Sequence, residues 1–462
     1  MGINANNLIV QQARQDVKQA AQTLLDDIQS YRRREDIASL LATASQLAST
    51  VDNLIKNSFE VTRKIESAFS AGDPLGEIDV NAAQLLEVTR TWATFRDALD
   101  QRNGSQRFFM RLGLTLLQPL HRRREDSLVE AIAIGDQVVT EFYRVAQEKN
   151  LNLRAPEIKL ITVLRDDRTH SEAFGEPTPF IVGPLWGYNQ AWNYIAYAHE
   201  VGHHIYRNVD GLDCELMVNV ILTLGLKGYK REDLRIWGAW LEEVFADLFC
   251  LLSVGPAAIH AGQRVALWIT AESRRSSNSK DALTQILFSS RDWYHPVPYL
   301  RIVLGLNALK LLENLGPGGQ AMQNQVKELH DRWANLTEQP EKIYVNDQEK
   351  DYVNVLNKGN LVVETILSTP LYALADKNGG AASAPRSILE VFYDDVRFQP
   401  RAAETLTNVM IGNIKQGAMM TSRPSKMETW QILAATEFAR DTLSDEKSLQ
   451  DLHIQAFKLL KQ

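Results

Sequence analysis

The first part of the chain contains neither glycine nor proline between Ile3 and Ala71. Because these two residues are the ones that interrupt helices, so long a stretch without them favours long helices. Apolar residues recur there in steps of three and four, at Val10, Ala13, Val17, Ala20, Leu24, Ile28 and Tyr31, and again at Ile37, Leu40, Ala44, Leu47, Val51 and Leu54. The polar run 32–36 is either the turn of a helical hairpin or part of one continuous helix. The pattern predicts a helical bundle within the chain, or self-association or a helical partner through residues 1–70.

A small amount of β-structure interrupts the helical pattern. Residues 158–164 and 180–185 are short runs of aliphatic and β-branched residues, which are typical of strands. The second run is bounded by Pro179 and Pro184, and because proline cannot donate to a sheet ladder, we expect an edge strand there. The sequence therefore predicts a mainly α fold with a small β-sheet.

Breaks in the pattern divide the chain into three predicted parts. Residues 1–104 form a helical, coiled-coil-like region, residues 105–315 a domain with the strands, and residues 316–462 a helical C-terminal region. With 462 residues and 45% hydrophobic content, the chain is long enough for each part to bury a core.

Charge and hydropathy exclude some classes of partner. The formal net charge is −7 and there is no basic block, which argues against nucleic acid. The longest apolar stretch, 248–259, is far shorter than the roughly 20 residues that span a bilayer, so no membrane span is expected. The N-terminal residues do not resemble a secretory signal, and the two cysteines, Cys214 and Cys250, are predicted to be buried and reduced. We expect a cytoplasmic protein.

One segment carries a metal-binding pattern. His199, Glu200 and His203 form H-E-x-x-H within the apolar sequence AWNYIAYAHEVGHHIY. On a helix, residues four apart lie on the same face, so both imidazoles can reach one cation while the glutamate faces a bound water. Imidazole is a good ligand for Zn²⁺, and a catalytic zinc keeps three protein ligands and an open position.

A second apolar segment, 235–254, offers the third ligand. Glu243 and Asp247 lie one turn apart on a face that is otherwise aromatic and aliphatic, so both carboxylates need polar partners. A metal would satisfy Glu243, and the distal N–H of a ligand histidine would satisfy Asp247. Glu242 would point about a hundred degrees away from that face, so Glu243 is preferred as the ligand, and Glu242 is expected to be solvated or to support the ligands.

These two motifs together resemble a known superfamily. His199-Glu200-x-x-His203 followed by Glu243-x-x-Ala246-Asp247 is similar to the gluzincin branch of the zincin metallopeptidases, over roughly residues 158–305. The resemblance implies a zincin-like catalytic domain, one Zn²⁺ per chain held by His199, His203 and Glu243, and Asp247 as support for a ligand histidine. It does not identify a subfamily.

The resemblance also implies a group that stabilises the oxyanion. Such enzymes often supply a histidine or tyrosine from a later segment, and the position of DWYHPVPYLR makes Tyr294 or His295 the candidate, with Asp292 or Arg301 as a supporting group. A helix start bounded by prolines, with an incidental histidine, is the alternative.

The predicted function is hydrolysis of peptide bonds in an intracellular protein or peptide substrate, with Glu200 as the general base. An extended substrate would add to the edge strand near 180–182. The alternative is a zincin-fold protein without catalysis that binds partners or regulates them.

Overall fold

The structure, a computed structural model, describes residues 126–154, 161–166, 170–173, 179–184, 190–273, 287–290, 294–378, 383–398, 400–420 and 427–461, and scattered positions between 22 and 64. Apart from Arg33, the predicted turn at 32–36 lies outside these residues. The question of an association through residues 1–70 falls largely outside them as well.

The described part of the chain is mainly helical, as the sequence predicts. Its α-helices are α1 (Asp126–Glu148), α2 (Ile195–Asn208), α3 (Leu212–Leu226), α4 (Arg231–Val254), α5 (Ala257–Ser273), α6 (Pro298–Leu312), α7 (Pro317–Ala321), α8 (Gln323–Leu336), α9 (Tyr352–Ser368), α10 (Ile388–Phe392), α11 (Pro400–Lys415), α12 (Thr429–Thr442) and α13 (Glu446–Leu460). Short 3₁₀ helices cover Ala191–Tyr194, Tyr372–Leu374 and Asp395–Phe398. Pro298 and Pro317 each stand at the first position of a helix, where the missing N–H has no partner to lose.

A three-stranded sheet precedes the H-E-x-x-H motif. Its strands are β1 (Ile161–Asp166), β2 (His170–Ala173) and β3 (Pro179–Pro184), in the order β1-β3-β2. β3 is parallel to β1, with Val163 opposite Val182, and antiparallel to β2, with Ser171 opposite Ile181.

The prediction that residues 180–182 form an edge strand is therefore wrong, because β3 is the central strand. Its two prolines, Pro179 and Pro184, are the first and last residues of the strand. Since every ladder N–H between them is intact, the strand can pair on both sides.

A second three-stranded sheet was not predicted. Its strands are β4 (Ser289–Ser290), β5 (Lys342–Val345) and β6 (Gln348–Asp351), in that order, with β4 and β5 parallel. It joins a segment just before His295 to a hairpin of the C-terminal region. The hairpin turn places Asn346 and Asp347 at positive φ, a conformation that these two residue types tolerate.

Helices α2 and α4 pack together more extensively than any other two elements of the described structure. Gly202 makes this possible, because a Cβ there would lie 2.8 Å from the Ala246 Cα atom. Three tryptophans, Trp192, Trp237 and Trp240, are almost wholly buried in the surrounding core. The faces that carry the two motifs are thereby held against each other.

Helices from the predicted C-terminal region pack directly on this pair. α9 contacts α3, α4 and α6, and α12 contacts α4, α5 and the 3₁₀ helix Ala191–Tyr194. From the N-terminal region, Ile28 is fully buried and belongs to the same hydrophobic core. Side chains from distant parts of the sequence thus share one core.

Two further predictions can be compared with the described residues. Both cysteines are free thiols, but only Cys250 is buried, whereas Cys214 is exposed on α3. None of the described helices is at once long enough and apolar enough to cross a bilayer.

Candidate metal centre

The two histidines of the motif converge on one point in space. On α2, the Nε2 atoms of His199 and His203 lie 3.1 Å apart. The carboxylate of Glu243 on α4 faces both, with Oε2 3.6 Å from the His199 Nε2 atom and Oε1 3.2 Å from that of His203. These three residues could hold a metal ion.

The donor set and its spacing fit a tetrahedral cation. For bond lengths of about 2.0–2.1 Å, neighbouring ligand atoms around a tetrahedral Zn²⁺ lie roughly 3.3 Å apart. The observed separations of 3.1, 3.2 and 3.6 Å bracket that value. Imidazole nitrogens and a carboxylate oxygen are also ligand types that bind zinc.

Asp247 holds the first histidine from behind. Its Oδ1 atom lies 3.0 Å from the His199 Nδ1 atom, so the imidazole donates Nδ1–H to Asp247 and turns Nε2 towards Glu243. Arg301 on α6 donates to both oxygens of the same carboxylate, at 2.7 Å each. Burial alone would raise the pKa of Asp247, but Arg301 and His199 lower it to about 2. The carboxylate is therefore charged over the whole neutral range.

Arg301 also approaches Glu243, with 3.3 Å between its Nη2 atom and Oε2. Burial opposes the ionised form of Glu243, but Arg301 and the two histidines hold its pKa well below the usual range. The sequence had suggested Arg301 as support for Tyr294 or His295. The structure places it instead on the two carboxylates of α4, and Asp292 lies outside the described residues.

The second histidine has a different carboxylate behind it. The Nδ1 atom of His203 lies 2.9 Å from the Glu242 Oε1 atom, and the Arg207 Nη2 atom lies 2.6 Å from the same oxygen. Of the two roles expected for Glu242, the structure therefore shows contact with a candidate ligand histidine rather than solvation alone. Glu243, as preferred from the helical geometry, is the residue of the pair that faces both Nε2 atoms.

Glu200 is buried on α2 beside His199. Burial lowers the pKa of the Arg301 guanidinium, but Asp247 and Glu243, and more weakly Glu200, raise it above the usual value. The carboxylate of Glu200 therefore lies within electrostatic reach of the cluster.

Of the two oxyanion candidates, His295 is placed at the cluster. Its Nε2 atom lies 3.3 Å from the Glu243 Oε1 atom, and its side chain is half exposed. The segment is anchored by Ser290, whose hydroxyl donates to the His295 carbonyl at 2.7 Å. Tyr294 is 70% exposed.

The approach to α2 is fixed by α13. The backbone N–H of Ala191, at the start of the 3₁₀ helix that leads into α2, donates to the His453 Nδ1 atom at 3.2 Å. Burial lowers the pKa of His453 to about 3, so the ring is neutral and can accept this bond. Sequence patterns gave no sign of this contact, because the two residues are 262 positions apart.

A buried ionic cluster was also missed. His260 on α5 lies 2.9 Å from the Glu437 Oε1 atom of α12 and also contacts Asp441. Arg264 contacts Glu437 at 3.2 Å and donates to the Asn193 side chain at 2.9 Å. The sequence gave His260 no role beyond that of a surface or core residue. The charged residues within the apolar helix ILAATEFARDT could have revealed the cluster, since such groups need partners.

Comparison with known proteins adds no assignment. No protein-family model matches the chain, and no curated protein or solved structure is detectably similar to it. The resemblance to gluzincins therefore rests on the two motifs.

Proposed function

We propose that the protein is a zinc-dependent metalloendopeptidase, with one Zn²⁺ per chain held by His199, His203 and Glu243. The convergence of two Nε2 atoms and one carboxylate at 3.1–3.6 Å carries this proposal. When bound, Zn²⁺ supplies a Lewis acid that polarises a carbonyl and lowers the pKa of a water molecule.

The other residues have roles that follow from their positions. Glu200 accepts the proton of the attacking water and passes it to the leaving amine. Its presence beside His199 favours catalysis over a silent role, because binding zinc does not require that carboxylate. His295 lies next to Glu243 on the exposed side of the cluster, where it can donate a hydrogen bond to the developing oxyanion.

A peptide substrate also needs a strand to pair with. Since β3 is central, the role proposed for residues 180–182 passes to β2, which is an edge strand and contacts α2. Among the described residues no strand pairs with the outer side of β2, so that edge offers backbone donors and acceptors to an extended chain that runs alongside α2.

The test separates binding of the metal from hydrolysis. Glu200→Gln should keep about one equivalent of zinc by elemental analysis and lose cleavage of an unstructured protein such as casein, because an amide cannot accept the proton. The control is Glu215→Gln on α3, a carboxylate that accepts from the Ala373 N–H at 3.1 Å and lies outside the cluster, and it should keep both properties.

Two results would contradict the proposal. Unchanged turnover in Glu200→Gln would remove the general base. Zinc that persists in the double variant His199→Ala, His203→Ala would place the metal elsewhere. Bound zinc without hydrolysis of any protein substrate by the parent chain would favour the alternative, a catalytically silent zincin-fold protein that binds partners.

A further inference from the structure

The two candidate ligand histidines have matching surroundings on the side away from the metal. Behind His199 stand Asp247, at 3.0 Å from Nδ1, and then Arg301. Behind His203 stand Glu242, at 2.9 Å from Nδ1, and then Arg207 at 2.6 Å from the same carboxylate oxygen. Each imidazole thus has a carboxylate at Nδ1 and an arginine behind the carboxylate.

This arrangement determines which nitrogen of each ring can bind a cation. A carboxylate accepts a hydrogen bond and cannot donate one, so each Nδ1 atom donates to its carboxylate, and Nε2 is the nitrogen left on each ring for a cation. The close approach of α2 and α4 at Gly202 brings Glu242 within reach of His203, although on α4 alone Glu242 points away from the face of Glu243.

From these contacts we propose that Glu242, held by Arg207, is a positioning residue that fixes the tautomer and orientation of His203 for the metal. The inference rests on the proposed metal centre but not on the reaction. The rival interpretation is an ordinary ion pair between Glu242 and the half-exposed Arg207, which would contribute little to anything else.

Metal affinity of the full chain is the first readout, measured by competition for zinc with a chromophoric chelator. Glu242→Ala should raise the zinc dissociation constant by about 10–100-fold, the usual effect of losing a carboxylate that supports a ligand histidine. Glu232→Ala is the matched control, because Glu232 is an exposed carboxylate at the far end of α4 that pairs with Lys350. It should leave the constant unchanged.

Two further variants keep the positioning role testable even if Glu242→Ala fails to fold. Arg207 is half exposed, so Arg207→Ala should fold and raise the dissociation constant by less than Glu242→Ala does. Arg207→Lys keeps a cation beside Glu242 and should restore most of the affinity.

Proton NMR of the cobalt-substituted protein gives a signature that an ordinary ion pair would not change. Each ligand imidazole should show an exchangeable, strongly shifted Nδ1–H signal that is protected by its carboxylate. Glu242→Ala should remove one signal through solvent exchange, and Asp247→Ala should remove the other.

The outcomes distinguish this inference from the proposed function. A parent chain that binds neither cobalt nor zinc would overturn the metal centre and the inference together. A parent chain that binds metal, combined with unchanged affinity and both Nδ1–H signals in Glu242→Ala, would overturn the positioning role and leave the metal centre standing.

Discussion

Adding a single methyl group at Gly202 should disturb the candidate metal centre more than it disturbs the overall fold. In Gly202→Ala, the new Cβ would lie 2.8 Å from the Ala246 Cα atom and 3.2 Å from the Ala246 oxygen. Ordinary carbon–carbon contacts are about 3.5–4.0 Å, so α4 must move away from α2 by roughly 0.7 Å. Because the obstacle is backbone, no side-chain rotation can relieve it.

The expected loss of stability is small. Overpacking costs about 1–3 kcal/mol. Replacing a helical glycine by alanine returns about 1 kcal/mol through helix propensity. The net loss is therefore about 0–2 kcal/mol in the free energy of unfolding, measured by denaturant titration.

The effect on metal binding should be larger. Ala246 lies between Glu243 and Asp247, so a shift there moves one ligand and the support of another. Metal–ligand distances tolerate only about 0.2 Å, and we expect the zinc dissociation constant to rise at least about tenfold.

Gly225→Ala is the matched control, because a Cβ at Gly225 on α3 would meet no atom within 4 Å. That variant should gain up to about 1 kcal/mol through the same propensity and keep its zinc affinity. If Gly202→Ala gained as much stability as Gly225→Ala and bound zinc like the parent, the close approach of α2 and α4 would not position the ligands.

Three further predictions follow from other contacts. His295→Ala should lower kcat more than it changes KM, whereas Tyr294→Phe should leave both unchanged; equal kinetics for the two variants would remove His295 from the oxyanion role. Glu437→Ala leaves the buried His260 and the partly buried Arg264 without this carboxylate and should cost about 3–5 kcal/mol in denaturant unfolding. A loss below about 1 kcal/mol would show that the cluster does not stabilise the fold. His453 has a folded pKa of about 3, so the unfolded chain takes up its proton first, near pH 6.5, and the stability contributed by the neutral ring is lost as the pH falls from 6.5 towards 3. At pH 4.5 this loss is about 2 pKa units, or roughly 2.7 kcal/mol in the free energy of unfolding. In His453→Asn the side chain can still accept from the backbone N–H but does not titrate. Parallel denaturant titrations should therefore show a smaller loss of stability between pH 7 and 4.5 for this variant than for the parent.

Short spacings along helices were the informative part of the sequence. The four-residue relation of His199 to His203, and of Glu243 to Asp247, predicts which side chains share a face. Once the two helices are paired, the three candidate ligands converge. The mainly α fold with little sheet was likewise predictable, because helical periodicity extends over many residues.

Long-range contacts were not predictable in this way. Arg301 lies 54 residues from Asp247, and nothing in the local pattern of α6 indicates that its arginine turns towards α4. The two prolines around residues 180–183 suggested an edge, but the pairing of a strand depends on which neighbours reach it. Such contacts are decided by tertiary packing, which local periodicity does not encode.

The hydrogen bond from Ala191 to His453 has a consequence for synthesis. Ala191, just ahead of α2, leaves the ribosome 262 residues before His453, and until α13 is made its N–H lacks this imidazole acceptor. A nascent chain carries both motifs long before it carries the contact that fixes the turn ahead of α2. The order of translation therefore delays the last contact that fixes the start of α2 until nearly all of the described chain has emerged.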